Sequence, residues 1–173
     1  LTMITLNEEL SVKKVIEDIK KLDERIEIVI VDSSDDQTAE IAKSLGANVF
    51  LQHPPKGYGP AMDHALKCSD RELIITVDCD DTYPLDQVDY FSKLIIEQNF
   101  DVVDGNRLAT KPKFMPVINY LANYGFALIA SLLFMVRIKD LHSGMRAYKK
   151  NIISKLPYKI DCLLYTSDAA DDD

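Results

Sequence analysis

Leu73-Ile74-Ile75-Thr76-Val77-Asp78-Cys79-Asp80-Asp81-Thr82-Tyr83-Pro84 decides the fold class. It opens as a short apolar run of the kind that is buried on both faces of a parallel sheet. It then delivers Asp78 and Asp80 to the strand's carboxyl end, and Pro84 fits the first turn of a helix, where a missing N–H costs nothing. Carboxylates two apart at a strand exit can converge on one hard divalent cation, Mg²⁺ or Mn²⁺, which typically bridges to phosphate oxygens. Without a cation, Asp78, Asp80 and Asp81 repel one another. A solvated acidic turn is the plainer reading of the same residues.

The same strand–helix alternation continues outward in both directions. Towards the N-terminus, Leu1–Leu6 and Ile26–Val31 read as strands, the second rich in β-branched residues. Between them Ser11–Leu22 places Val12, Val15, Ile16 and Ile19 at helical spacing. Thr38–Leu45 reads as a helix closed by Gly46 in the left-handed region. Val49–Leu51 reads as a short strand and Pro60–Cys68 as a short helix. Towards the C-terminus, Leu85–Gln98 carries Val88, Phe91, Leu94 and Ile95 on one face, and Asp101–Val103 reads as a fifth strand. This alternation predicts one α/β domain built on a doubly wound parallel sheet. Ligands of such sheets bind beyond the carboxyl ends of the strands.

Two other strand ends are polar. Asp32 ends a buried strand in Val31-Asp32-Ser33-Ser34-Asp35-Asp36-Gln37-Thr38. Capping accounts for Asp36 and Thr38 but leaves Asp32 unexplained. Asn7-Glu8-Glu9 follows the first strand, where helix-dipole placement is the alternative explanation. Lys56-Gly57-Tyr58-Gly59-Pro60 opens a helix and either receives an anion or is simply a tight turn.

Length and composition agree with one soluble domain. The chain has 173 residues, 47% hydrophobic and 28% charged. Its net charge of −8 argues against nucleic-acid binding. Four aspartates lie in residues 162–173, and without them the balance is −4. Cys68, Cys79 and Cys162 form no paired motif, which predicts a reducing compartment and a cytoplasmic location. The chain opens inside a strand without Met, so it reads as a fragment cut at both ends. Residues 1–161 are expected to form the domain. Residues 162–173 resemble translated adaptor sequence, a non-native tail.

The ordered set T-L-N-E-E, V-D-S-S-D-D-Q-T, K-G-Y-G-P-A, V-D-C-D-D-T-Y-P, G-N-R and D-L-H-S-G-M-R resembles glycosyltransferase family 2. The likeness is greatest to polyprenyl-phosphate sugar transferases of the dolichol-phosphate mannosyltransferase type, and it spans residues 1–150. It implies a GT-A fold, a nucleotide-binding α/β sandwich with a mostly parallel central sheet. It also implies that Glu8 and Asp32 hold the nucleoside of a nucleotide-sugar, with Lys56 and Asp78 also on the donor side. Asp78 and Asp80 match the metal pair for Mg²⁺ or Mn²⁺. Arg107 matches an arginine near phosphates, and Ser143 and Arg146 match residues associated with the acceptor phosphate.

The implied reaction is inverting, with a polyprenyl (dolichyl or undecaprenyl) phosphate as acceptor. Asp80, Arg107 and Arg146 carry it, and Asp140 serves as base if the acceptor is an alcohol. Departures from the family pattern are Ile4 for Pro, Asp32-Ser33 for paired Asp, Asp81 for Gly or Leu, Asn106 for Ser and Met145 for Phe.

Residues 114–136 carry no charge, and Lys111, Lys113, Arg137 and Lys139 flank them. The segment reads as an interfacial helix giving peripheral contact with the cytoplasmic membrane face. A buried core or dimer-interface helix is the alternative. A haloacid-dehalogenase-type phosphatase also begins with strand-D-x-D-x-T. It would use Asp78 as nucleophile and Asp80 as acid/base, but its motif normally opens the chain. A catalytically inactive nucleotide-binding domain is the third reading. The oligomeric state is open.

Overall fold

The computed structural model of the chain describes residues 1–81, 83–109, 115–141 and 143–155. Thr82, Lys111, Lys113, Phe114, Cys162 and the tail expected to be non-native lie outside the described residues. The elements are β1 (Thr2–Thr5), α1 (Val12–Leu22), β2 (Val29–Asp32), α2 (Thr38–Ser44), β3 (Asn48–Leu51), α3 (Tyr58–Cys68), β4 (Leu73–Thr76), α4 (Val88–Ile96), β5 (Val102–Asp104), α5 (Val117–Phe134), β6 (Arg146–Lys149) and α6 (Lys150–Ile153). A 3₁₀ turn over Leu85–Gln87 leads into α4, and a second covers Arg107–Ala109.

Among the described residues six strands form one sheet in the order β3-β2-β1-β4-β6-β5. The first four are parallel to one another, with Thr5 opposite Asp32 and Asp32 opposite Leu51. β6 lies between β4 and β5 and runs antiparallel to both. The sheet is therefore mostly parallel, with one reversed strand absent from the sequence reading. Arg-Ala-Tyr-Lys offers only Ala147 as a fully buried residue, so neither alternation nor an apolar run marks it. Pairing with β4 supplies its strand character instead.

Side chains alternate across the sheet with the period of two that extended backbone imposes. Met3 and Ile30 enter the main core with Ile75 and Ala147, under Val12, Val15, Ile16 and Ile19 of α1 and Phe91 and Ile95 of α4. Ile4 and Val31 face the other way onto Ala61 and Ala65 of α3. The four buried α1 residues are those the helical spacing selected, and each contributes about 1.5–3 kcal/mol by leaving water. Gly46 has φ +83° and its N–H meets the Lys43 carbonyl at 2.9 Å, the expected helix stop. The expected helix over residues 85–98 is instead a 3₁₀ turn followed by α4, ending at Ile96.

α5 departs from core packing. Only Ala127 and Ala130 are buried, whereas Ile118, Leu121, Leu132, Leu133 and Phe134 are all more than 60% exposed. It is 18 residues long with mean hydropathy 1.6, long and apolar enough to cross a membrane. This exposure removes the buried-core alternative. The helix touches the domain through the Arg107–Ala109 turn, where the Tyr120 hydroxyl donates to the Leu108 carbonyl at 3.1 Å.

Candidate active site at the strand ends

The site is assembled where β1, β2 and β4 end together. The loops after β1 and β2 are laced to each other. The Asn7 amide donates to Ser34 Oγ at 2.8 Å, the Glu8 amide to Thr38 Oγ1 at 2.9 Å, and the Asp35 amide returns to Asn7 Oδ1 at 3.1 Å. Asn7 takes φ +58° at this crossing, tolerable for Asn in the left-handed region. Glu8 Oε2 accepts from Ser11 Oγ at 2.6 Å, which orients its carboxylate at the start of α1. Asp36 accepts from the Thr38 amide at 2.9 Å and closes the start of α2.

Asp32 stands at its expected strand end, fully buried. Its Oδ1 accepts from the Thr5 and Ser34 hydroxyls, each at 2.6 Å, and Oδ2 from the Ser34 amide at 3.2 Å. Its carboxylate thus braces the β1 and β2 ends from beneath. Lys56 is exposed in the loop before α3, next to Gly57 at φ +88°.

Asp78 leaves β4 into a crowded polar pocket. Burial pushes its carboxyl above the usual range, and the neighbouring Asp80 and Glu8 charges add to the rise. A hydrogen bond with Tyr83 and the Arg107 guanidinium oppose it. Asp78, Asp80, Glu8 and Arg107 therefore share one electrostatic neighbourhood. Burial likewise pushes the Cys79 thiol up to about 12, with Glu8 and Asp80 adding to it. The charge on Asp81 is turned away: at φ +61° its carboxylate meets Lys14 Nζ of α1 at 2.5 Å.

These residues suit a hard divalent ion. Among the described residues no group of three or more His, Cys, Asp or Glu gathers into a closed metal cage. A half-buried carboxylate whose charge is disfavoured by desolvation and by its acidic neighbours is nonetheless what a cation would relieve. Mg²⁺-type sites commonly take only one or two protein carboxylates, with phosphates and water filling the rest.

The cationic half comes from the other side of β4. Arg107 Nε and its backbone N each donate to Asp140 Oδ2 at 3.0 Å, and Nη2 reaches Oδ1 at 3.3 Å. Asp140 has no exposed side-chain surface, whereas Arg107 keeps 30%. Asp140 therefore aims the guanidinium and does not present a base to solvent. Burial works most strongly against the Arg107 charge, but the Asp140 hydrogen bond and charge, with Tyr83 and Asp78 adding to them, together hold the pKa above the ordinary value.

Arg146 at the start of β6 donates from Nε to Asp104 Oδ1 at 2.8 Å and from Nη2 to the Leu141 carbonyl at 3.1 Å. Ser143 is buried, and its hydroxyl donates to the Met145 carbonyl at 3.3 Å. Of the departures, Asn106 caps the Arg107 turn by accepting from the Leu108 amide at 3.1 Å, while Met145 fills the main core. Beside Arg107 a cleft of about 380 Å³ opens between the turn and α5. Leu108, Tyr124, Ala127, Leu128, Arg137 and Lys139 are among the residues that line it.

Sequence reasoning missed three residues here. Tyr83 hydrogen-bonds Asp78 and receives the Gly144 amide at 2.9 Å. Tyr58 opens α3 close enough to Asp78 and Arg146 to feel both charges, and burial pushes its hydroxyl up to about 12. Gly144 sits so near Asp78 that a Cβ there would collide with its Oδ2. The quoted S-G-M-R motif contained Gly144, but only the tertiary contact explains why no side chain fits.

Comparison with known proteins turns this geometry into an assignment. The description "Glycosyl transferase family 2" matches residues 1–156. The chain belongs to that family. One relative, the dolichyl-phosphate hexose transferase of Haloferax volcanii, is 40% identical over 159 residues, covering 91% of this chain and 69% of its own length. The UDP-N-acetylglucosamine–dolichyl-phosphate N-acetylglucosaminyltransferase of Methanococcus voltae is 25% identical, covering 92% and 72%.

Among solved structures, glucosyl-3-phosphoglycerate synthase from Mycobacterium tuberculosis in complex with UDP superposes with TM-score 0.69 at 23% identity. It is covered over 90% of this chain and 58% of its own. The same enzyme with Mn²⁺, UDP-glucose and phosphoglyceric acid gives 0.68 at 21% identity, covering 90% and 57%. The chain thus spans somewhat more than half of these neighbours. The GT-A fold of this family 2 glycosyltransferase follows from the neighbours and from the mostly parallel sheet. The phosphatase alternative loses its support, since the D-x-D follows the fourth strand of a family 2 domain.

Proposed function

We propose that this domain transfers a hexose from a nucleotide-sugar to a polyprenyl phosphate, with inversion, in the presence of Mg²⁺ or Mn²⁺. The observation that carries this reading is the convergence of Asp78, Asp80, Glu8 and Arg107 at the strand ends, beside a cleft roofed by an exposed apolar helix. The Haloferax relative, a dolichyl-phosphate hexose transferase, and the Mn²⁺ and UDP-glucose of a structural neighbour point the same way.

Glu8 and the strand ends braced by Asp32 face the nucleoside, and Lys56 stands near the donor phosphates. Asp78 and Asp80 would hold the cation, which when bound would neutralise the departing diphosphate. Arg107, aimed by Asp140, and Arg146, held by Asp104, attract the acceptor phosphate. Ser143 supports their loop from inside. An oxygen of that phosphate attacks the anomeric carbon as the bond to the diphosphate breaks, and the nucleoside diphosphate leaves. The attacking oxygen is already ionised near neutral pH, so the protein positions and neutralises and no base is required. Contact through α5, with Arg137 and Lys139 meeting anionic headgroups, would place the domain on the cytoplasmic membrane face.

Calorimetric titration with UDP and GDP, with and without Mn²⁺, tests the reading. Metal-dependent binding is expected, and Asp80→Asn should abolish it with the circular dichroism spectrum unchanged. Undiminished binding by that variant would overturn the proposal. Binding without transfer to farnesyl phosphate would instead mark an inactive nucleotide-binding domain.

A further inference from the structure

The Asp78 loop after β4 and the loop before β6 meet at one hydroxyl. Tyr83 is anchored by its ring, which packs against the main core. Its oxygen receives the Gly144 N–H at 2.9 Å and is hydrogen-bonded to the Asp78 carboxylate. A carboxylate accepts and an amide N–H donates, so the phenol serves as acceptor on one side and donor on the other. Gly144 is pinned from behind as well: the Thr76 hydroxyl of β4 donates to its carbonyl at 2.9 Å. A Cβ on Gly144 would collide with Asp78 Oδ2 and lie 2.6 Å from the Tyr83 oxygen. The segment fixed in this way runs directly into Arg146, two residues on.

We propose that Tyr83 is a positioning residue that couples the two substrate sites, its hydroxyl tying the donor-side carboxylate to the loop that delivers Arg146. The inference rests on the functional reading above. Donor binding at Asp78 restrains that carboxylate, and through Tyr83 it restrains Gly144 and the approach to Arg146. Acceptor phosphate then meets a Gly144–Arg146 loop already restrained at its Gly144 end, which is positive cooperativity without a large movement. Linkage makes the effect reciprocal.

The test measures farnesyl phosphate binding by calorimetry, with and without saturating UDP and Mn²⁺. The native protein should bind farnesyl phosphate about fivefold or more tightly when UDP and Mn²⁺ are present, the lower range of ordinary allosteric coupling. In Tyr83→Phe that ratio should fall to about one, whatever change the loss of the Asp78 contact makes to either ligand's affinity alone. Gly144→Ala attacks the same junction from the other side and should lose the ratio too, with circular dichroism verifying its fold. A residue with a merely structural role would weaken single-ligand binding and leave the ratio alone. Retention of the ratio in both variants, or a native ratio of one, overturns the proposal. Failure of the native protein to bind UDP at all would overturn the functional reading itself.

Discussion

Asp140→Ala separates an anchoring carboxylate from a catalytic base. The side chain has no exposed surface and accepts from Arg107 Nε and backbone N at 3.0 Å and from Nη2 at 3.3 Å. Removing one partner of a buried ion pair costs about 3–5 kcal/mol, because the other charge is left without its counterpart. Arg107 retains 30% exposure and so a path to water, which puts the expected loss near the low end, at about 3 kcal/mol. For a chain of this length that corresponds to a fall in Tm of about 6–12 °C. Urea unfolding followed by circular dichroism gives the loss directly if the slope with denaturant is unchanged. A loss below about 1 kcal/mol, the worth of an exposed pair, would refute the buried-anchor argument. Asp140→Asn adds the discriminating arm. Native stability with turnover abolished would restore Asp140 as a base.

Three further outcomes follow from other parts of the fold. Leu128→Asp with Leu132→Asp, both on the exposed face of α5, should sharply reduce co-sedimentation with anionic vesicles, and equal pelleting would refute the interfacial reading. Gly105→Ala places a Cβ 2.6 Å from Ser143 Oγ and 3.0 Å from the Met145 carbonyl. Denaturant titration should show a loss of about 1–3 kcal/mol, the usual cost of overpacking, and an unchanged midpoint would contradict that packing. The Cys79 thiol, pushed up from 9.0 to about 12, should resist alkylation at pH 8 until the chain unfolds, as read by mass spectrometry. Because its folded pKa is raised, the stability it lends is full below pH 9 and lost as pH climbs towards 12. The slope from this one group is at most ~1.4 kcal/mol per pH unit.

Much of the fold was legible because burial and period coincide. Val12, Val15, Ile16 and Ile19 recur at helical spacing and all four are buried. The run ending at Asp32 is buried at every position. The acidic pair Asp78 and Asp80 was legible because an apolar strand runs straight into acid, an arrangement with no packing purpose. β6 was not, because Arg146, Tyr148 and Lys149 are only partly covered and owe their conformation to neighbours some 70 residues away. The dual nature of Arg107 and Asp140 was also hidden. Sequence marks each as charged, and only the fold shows one buried beneath the other. Tyr83 carried no local signal, since a tyrosine before a proline is unremarkable until its hydroxyl is seen between Asp78 and Gly144.

The reversed strand has a consequence for biosynthesis. Among the described residues β5 finds hydrogen-bonded neighbours only in β6, whereas β3, β2, β1 and β4 already form a contiguous block. A nascent polypeptide can therefore assemble the parallel half as it emerges from the ribosome. The half bearing Asp104 and Arg146 waits until residue 149 has been translated, because strands that distant in sequence join late. A ribosome stalled before that codon would display a half-sheet with an open edge at β4, the species on which chaperones and proteases would act first.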